Sequence, residues 1–212
     1  MTSSDRYDTS GQPENQYEPG SDGRLLKNLL GITTREKLET AETAELWLAE
    51  EQLLGEIEQD QVFTSQDIRN IHNLWLGNIY SWAGDYRQVN LSKDGFSFAM
   101  AHTIPTLMAE FERDQLKRYT PCNFDNRETI AQALAEVHVE LMLIHPFREG
   151  NGRLGRLLAT LMGLQAGLPL LDFSEMAGWR KEEYFAAVRA GLDRDYQPMI
   201  RLFIDVIELS SR

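Results

Sequence analysis

His145-Pro146-Phe147-Arg148-Glu149-Gly150-Asn151-Gly152-Arg153-Leu154-Gly155-Arg156 is the stretch on which the reading of this chain turns. Its twelve residues hold a histidine, a carboxylate, three glycines and three arginines, and apolar stretches precede and follow it. Gly150 and Gly152 flank Asn151, so the backbone is expected to turn there with positive φ and to approach a ligand without an intervening Cβ. Leu154 to Ala166 reads as a helix whose first amides lack intrahelical acceptors. Free amides, a favourable helix dipole and the Arg153/Arg156 pair suit a polyphosphate. Glu149 would repel that anion unless a divalent cation lay between them, and Mg²⁺ is the usual bridge from one carboxylate to phosphate oxygens. His145 is the one group here whose ordinary pKa suits proton transfer near neutrality. The loop reads as a metal–nucleotide site with a base.

Two better-known glycine loops are excluded. No Gly-Lys-Ser/Thr follows the glycines, and neither a preceding strand nor the dinucleotide spacing is present. A glycine-rich connection between buried helices would explain any one of these features; the whole string brings several chemical roles together.

The 212 residues suit one domain with a sizeable core. With 21 Lys and Arg against 33 Asp and Glu, the net charge of −12 argues against nucleic-acid binding, which needs clustered cations. The single cysteine, Cys122, excludes an intrachain disulfide framework. The polar N-terminus lacks a signal-peptide core, and no run is long enough to span a membrane, so a cytoplasmic location is expected.

Along the chain, Met1 to Gln12 is expected to be disordered, and the Tyr17–Leu30 segment to lie on the domain as a tail. Thr33 and Glu36 form an expected capping box for a helix reaching about Glu58, with Leu38, Leu46, Leu53, Leu54 and Ile57 inward and a solvated Glu-rich face. Thr64 and Asp67 cap a second helix carrying Ile68, Ile71, Trp75 and Ile79 and ending at Trp82-Ala83-Gly84; His72 beside that stripe is read as structural. Alternation over 87–98 around Asp94-Gly95 predicts a β-hairpin. Further helices are predicted over Pro105–Tyr119, from an Asp125 N-cap with Glu128 to Ile144, over Trp179–Ala190 and over Pro198–Leu209. His138 is read as a buried, hydrogen-bonded histidine. Pro146 is expected to push His145 out of helical conformation and so aim its ring.

His-Pro-Phe-x-Glu-Gly-Asn-Gly-Arg-x-x-Arg is the signature of Fic-domain proteins, matched here at every fixed position, and the chain resembles that family from about Asn15 onward. The resemblance implies an all-α Fic fold: a helical bundle over 23–212 with a short hairpin flap at about 87–98, preceded by a flexible tail over 1–22. It implies a protein adenylyltransferase that moves AMP from ATP, with Mg²⁺, to a target Ser, Thr or Tyr hydroxyl and releases pyrophosphate. In that scheme His145 is the base and Glu149 the metal ligand. Gly150, Asn151 and Gly152 form the hole for the α- and β-phosphates, Arg153 holds the β-phosphate and Arg156 the γ-phosphate. Lys93, Asp94, Gly95 and Phe96 at the flap tip, with Arg148, join the nucleotide contacts, and Tyr184 falls beside the adenine. Phe147 anchors the loop in the core. An asparagine common eight residues after the aromatic is Leu192 here, and Gly152 argues against the kinase-like branch, which carries a bulkier residue there.

The family's flap holds its target by strand addition, a mode that reads backbone more than side chains, with Phe96 or Phe98 clamping the modified side chain. Family members are commonly restrained by a Ser/Thr-x-x-x-Glu-Gly/Asn helix whose glutamate competes with the γ-phosphate for the second arginine, Arg156. Ser10 to Asn15 fits those letters, but Gly11 and Pro13 make it a poor helix, so restraint by a small antitoxin is expected and the chain reads as the toxin. ATPase subunits of type II topoisomerases are the implied target class. A silent nucleotide-binding module, or transfer of another nucleotide or of phosphate, are the alternatives. Intact His145 and Glu149 weigh against the silent module.

Overall fold

The computed structural model describes residues 12–211. Its elements are α1 (Arg35–Glu56), α2 (Ser65–Leu76), β1 (Ser92–Lys93), β2 (Phe96–Ser97) and α3 (Ile104–Phe111), followed by a π-helical turn into α4 (Lys117–Tyr119). Then come α5 (Arg127–Ile144), α6 (Asn151–Gln165), α7 (Ser174–Ala177), α8 (Lys181–Ala190) and α9 (Gln197–Ser210). The all-α reading with one small hairpin holds. No helix among the described residues is long and apolar enough to cross a membrane.

α5 is the axle. The expected stripe of Ile130, Leu134, Val137, His138, Leu141 and Ile144 is buried, but so are Ala131, Ala133, Ala135, Val139 and Met142. A helix apolar on nearly every side belongs inside, and here α6 and α9 pack along α5 while α3 and α8 add further contact. Its small alanines let those neighbours approach closely. The axle ends at Ile144 and places its C-cap, His145, at the rim of the bundle.

Several helix ends differ from expectation. Thr34, not Thr33, is the α1 N-cap and makes no side-chain cap bond, so the Thr33–Glu36 box does not form. The Thr64–Asp67 box does form: the Asp67 amide donates to Thr64 Oγ1 at 3.1 Å, and the Asp67 carboxylate accepts the Thr64 amide at 2.8 Å. α2 stops at Leu76, well before Trp82, although Ile79 and Trp82 are buried beyond it. Asn126, not Asp125, caps α5, its side chain accepting the Thr129 amide at 2.8 Å. α3 is broken by the π turn at Glu112–Leu116 before Tyr119.

The segment before α1 lies on the domain, as read: Tyr17 bridges Leu26, and the Leu29 amide donates to the Ile79 carbonyl at 2.8 Å. Leu25 is buried, but Leu29 and Leu30 face solvent. The expectation of disorder over Met1–Gln12 falls, apart from Gln12, outside the described residues. The Glu-rich face of α1 is not wholly solvated. Glu42 is buried, accepting the Tyr80 hydroxyl at 2.7 Å and an Arg153 N–H at 2.6 Å. Periodicity does not reveal that a carboxylate has a cation waiting inside.

The structural histidines make a prediction. Burial pushes His72 and His138 down to about 4, and burial does the same to His145. All three are neutral in the folded chain at pH 5.5, whereas in the unfolded chain they titrate near 6.5. The unfolded state therefore binds more protons, and stability falls as pH drops from 6.5 towards 4. Calorimetry at pH 5.5 in buffers of different ionisation enthalpy should show net proton uptake on unfolding, from the three histidines and partly offset by release from Glu14 and Glu50, whose pKa burial raises.

Candidate active site

The catalytic-type loop is pinned from both ends. His145 closes α5 in the left-handed region, φ 51°, so the chain leaves the helix abruptly at the residue before Pro146. Gly150 closes the loop with φ 83°, and α6 begins at Asn151, three residues earlier than expected. Of the two glycines only Gly150 has a positive φ; Gly152 is already helical. Between them, the Asn151 side chain accepts the Phe147 amide at 2.9 Å and donates to the Phe147 carbonyl at 2.8 Å. Phe147 is fully buried and stacks on His72, ring centroids 3.9 Å apart. His72 accepts the Gly84 amide at Nδ1, so its Nε2 carries the proton and donates to the Glu149 carbonyl at 3.1 Å. Phe147 is the core anchor the sequence suggested, and His72 is structural.

A cavity of about 360 Å³ opens between the loop, the flap and α8. His145, Glu149, the start of α6 and Arg156 line one side; Lys93, Asp94, Phe96 and Phe98 from the flap face them. Burial holds His145 neutral, and its Nδ1 lies 3.3 Å from the Met142 carbonyl, the contact that puts the proton on Nδ1 and leaves Nε2 with a lone pair. Phe98 stacks on the imidazole at 3.8 Å, and Phe96 meets Phe98 edge-on. Phe98 is thereby committed to the His145 ring, whereas Phe96 makes no stack with it.

Glu149 is exposed, and its Oε1 accepts the Gly150 amide at 3.0 Å. No cluster of three or more His, Cys, Asp or Glu able to hold a metal occurs among the described residues. A single carboxylate at the mouth of an anion site fits Mg²⁺, which keeps most of its water and shares phosphate oxygens. The Asn151, Gly152 and Arg153 amides of the first turn of α6 have no intrahelical acceptors, so they remain for an anion. The Asn151 side chain is spent on Phe147, so only its backbone amide is left to face an anion.

The two motif arginines separate. Arg156 lines the cavity, and burial lowers its pKa. Arg153 does not: it pairs with Glu42 at 2.6 Å and lies over the Trp75 ring at 4.6 Å, facing a neighbouring cavity. Gly95 shapes the flap turn without lining the cavity. Arg148 lines it, with Nε donating to the Glu14 carbonyl at 3.1 Å. Tyr184 lines the far end, but its hydroxyl is turned inward to His138 Nε2 at 3.0 Å, and burial pushes the phenol up to about 12. Leu192, at the position where the family often has asparagine, points to solvent.

Sequence reading missed several residues here. Met176, Lys181, Phe185 and Arg189 complete the far end of the cavity. Arg87, read as the start of a hairpin strand, lies outside the two-residue strands and is fully buried, donating to the His145, Val89 and Ala99 carbonyls at 2.6–2.7 Å. It ties the base of the flap to His145. The only available signal was an arginine opening an otherwise apolar alternation. In the Ser10–Asn15 match, whose first two residues lie outside the described ones, Glu14 accepts the Gln88 amide at 2.6 Å within a short 3₁₀ turn and makes no ion pair with Arg156.

Residues 62–162 match the model of the Fic/DOC family, a span that contains the whole loop and both halves of its clamp. The chain carries a Fic/DOC domain. It is 29% identical over 195 residues to protein adenylyltransferase VbhT of Bartonella schoenbuchensis, covering 90% of this chain and 37% of that protein. It is 25% identical over 207 residues to protein adenylyltransferase Fic of Drosophila ananassae, covering 95% of this chain and 39% of that one. The chain thus spans less than two fifths of the length of these curated relatives. The Fic domain of a Bartonella effector (strain AR 15-3) superposes with a TM-score of 0.75 at 24% identity over 94% of each chain. A Bartonella quintana Fic domain with bound ADP superposes at 0.68, with 26% identity over 85% of this chain and 89% of that chain.

The Fic loop geometry makes Gly150 the least replaceable position. A Cβ there would meet Trp75 at 2.8 Å and Leu76 at 3.2 Å on a backbone already at φ +83°. Gly150→Ala should cost about 1–3 kcal/mol in denaturant unfolding. At Gly152 the nearest atom is the flexible end of Arg156 at 3.7 Å, so Gly152→Ala should leave stability nearly unchanged.

Proposed function

We propose that this chain is a protein adenylyltransferase domain, binding Mg-ATP in the cavity and passing AMP to a hydroxyl of a target protein. One observation carries the reading: a neutral imidazole and the free amides of a helix N-terminus face the same cavity across a rigid loop. Such amides suit phosphate oxygens, and the base suits a hydroxyl approaching the innermost phosphorus. The names of the relatives and the ADP held by a similar Fic domain support it.

The chemistry then balances simply. His145 Nε2 takes the proton of the target hydroxyl as its oxygen bonds to the α-phosphorus. The bond from that phosphorus to the α–β bridging oxygen breaks, and pyrophosphate leaves in line. A Mg²⁺ at Glu149 would neutralise phosphate charge. Arg156, half-buried and without a carboxylate within 4.0 Å among the described residues, would meet the γ-phosphate. The aromatic and aliphatic far end, with Tyr184, Met176 and Val188, would take the base.

The finer reading extends to partners. The target segment pairs with the exposed flap by strand addition, with ATPase subunits of type II topoisomerases as the target class, and the chain is a toxin acting in the cytoplasm. A small antitoxin restrains it by presenting a glutamate to Arg156. In support, Arg156 carries no close ion pair among the described residues, and Glu14 is engaged elsewhere.

Incubation with α- and γ-labelled ATP, Mg²⁺ and bacterial lysate tests the reading. Protein label from the α-phosphate is expected, reduced at least about 10²-fold in His145→Ala. Glu149→Ala should lose Mg²⁺ dependence together with activity. Label from the γ-phosphate alone would contradict AMP transfer.

A further inference from the structure

A second cavity of about 600 Å³ lies behind the loop, between the segment before α1, α1 itself and the start of α6. Glu149 and Arg156 line both cavities, so the two share a wall; His145 lines only the first. The second is ringed by Arg24, Arg35, Arg153 and Arg156. Arg153 is paired with Glu42 at 2.6 Å and Arg35 with Glu39 at 4.0 Å. Arg24 and Arg156 have no ion pair within 4.0 Å among the described residues, and Arg156 is half-buried with only the longer-range charge of Glu50 to offset it.

We propose that this second cavity receives the pyrophosphate released by AMP transfer, with Arg24 and Arg35 as its outer ligands. The inference rests on the adenylyltransferase reading. In a phosphoryl-type displacement the attacking and leaving oxygens lie roughly in line. The attacking hydroxyl stands on the His145 side, so the leaving group departs from it, toward the wall formed by Glu149 and Arg156. The flap and the bound target close the side from which the hydroxyl came. Beyond the shared wall lie Arg153, Arg24 and Arg35, and guanidinium forks match phosphate oxygens bidentately. Glu42 has a second partner in Tyr80, so it keeps a hydrogen bond when Arg153 turns to the anion.

Titration calorimetry with inorganic pyrophosphate, and separately with AMP, compares the wild-type chain with the Arg24→Ala/Arg35→Ala double variant at physiological ionic strength. Under those conditions charges more than about 8 Å away are largely screened. Both arginines are exposed, so the fold should survive, and retained AMP binding reports that it has. The expected result is pyrophosphate affinity weakened about tenfold or more, with AMP affinity changed less than about twofold. Equal pyrophosphate affinity in the two proteins would overturn the proposal, as would AMP displacing pyrophosphate competitively. Absence of AMP binding by the wild type would instead refute the adenylyltransferase reading, while the pyrophosphate comparison still decides the cavity.

Discussion

The site depends on one buried clamp: the Asn151 carboxamide holding both the amide and the carbonyl of Phe147. Each of these backbone groups is buried, and leaving one unsatisfied costs about 1–3 kcal/mol. The clamp fixes a tight loop whose apolar centre is driven into the core against His72. His72 then ties that loop to Gly84 on one side and to the Glu149 carbonyl on the other. With the loop fixed in the folded chain, the first amides of α6 are aimed before any ligand arrives. Dipoles oriented in advance need no reorganisation as charge develops, which is the largest lever a polar site has.

The distribution of charge around that loop is unequal. Burial strips His145 of its proton and lowers the pKa of Arg156, so the first cavity combines a neutral base with a cation lacking a near partner. Arg153, one turn away, is compensated by Glu42 and covered by Trp75. Two arginines that look equivalent in the motif therefore occupy different electrostatic settings. The difference arises from α1, which brings buried Glu42 into contact with Arg153 and leaves Glu50 at longer range from Arg156. Arg87 adds a mechanical link, since the same guanidinium bonds the flap carbonyls and the carbonyl of His145.

Much of this was legible in the sequence because the loop carries its own physics. Glycine at 150 takes the expected positive φ and His145 leaves the helix before Pro146, while α6 starts three residues earlier than its apolar period suggests. The amphipathic stripe of α2 likewise identifies its buried face, whereas the stripe read for α5 is only part of what that helix buries. Long-range polar pairings were not legible. Glu42 sits among glutamates that do face water, and nothing in a helical period distinguishes the one opposite Arg153. Asn151 reads as an anion ligand in a string, yet its side chain is consumed by a residue four positions away. The far end of the cavity comes from α7 and α8, whose Met176, Lys181 and Phe185 acquire meaning only when the fold brings them to the flap.

The folded loop presents a neutral imidazole with its free nitrogen toward the cavity. A ¹⁵N NMR titration of the His145 ring tests this most directly. The structure predicts the proton on Nδ1, held by the Met142 carbonyl, with titration near pH 4. A ring protonated on Nε2, or one titrating near the ordinary value of about 6.5, would contradict it.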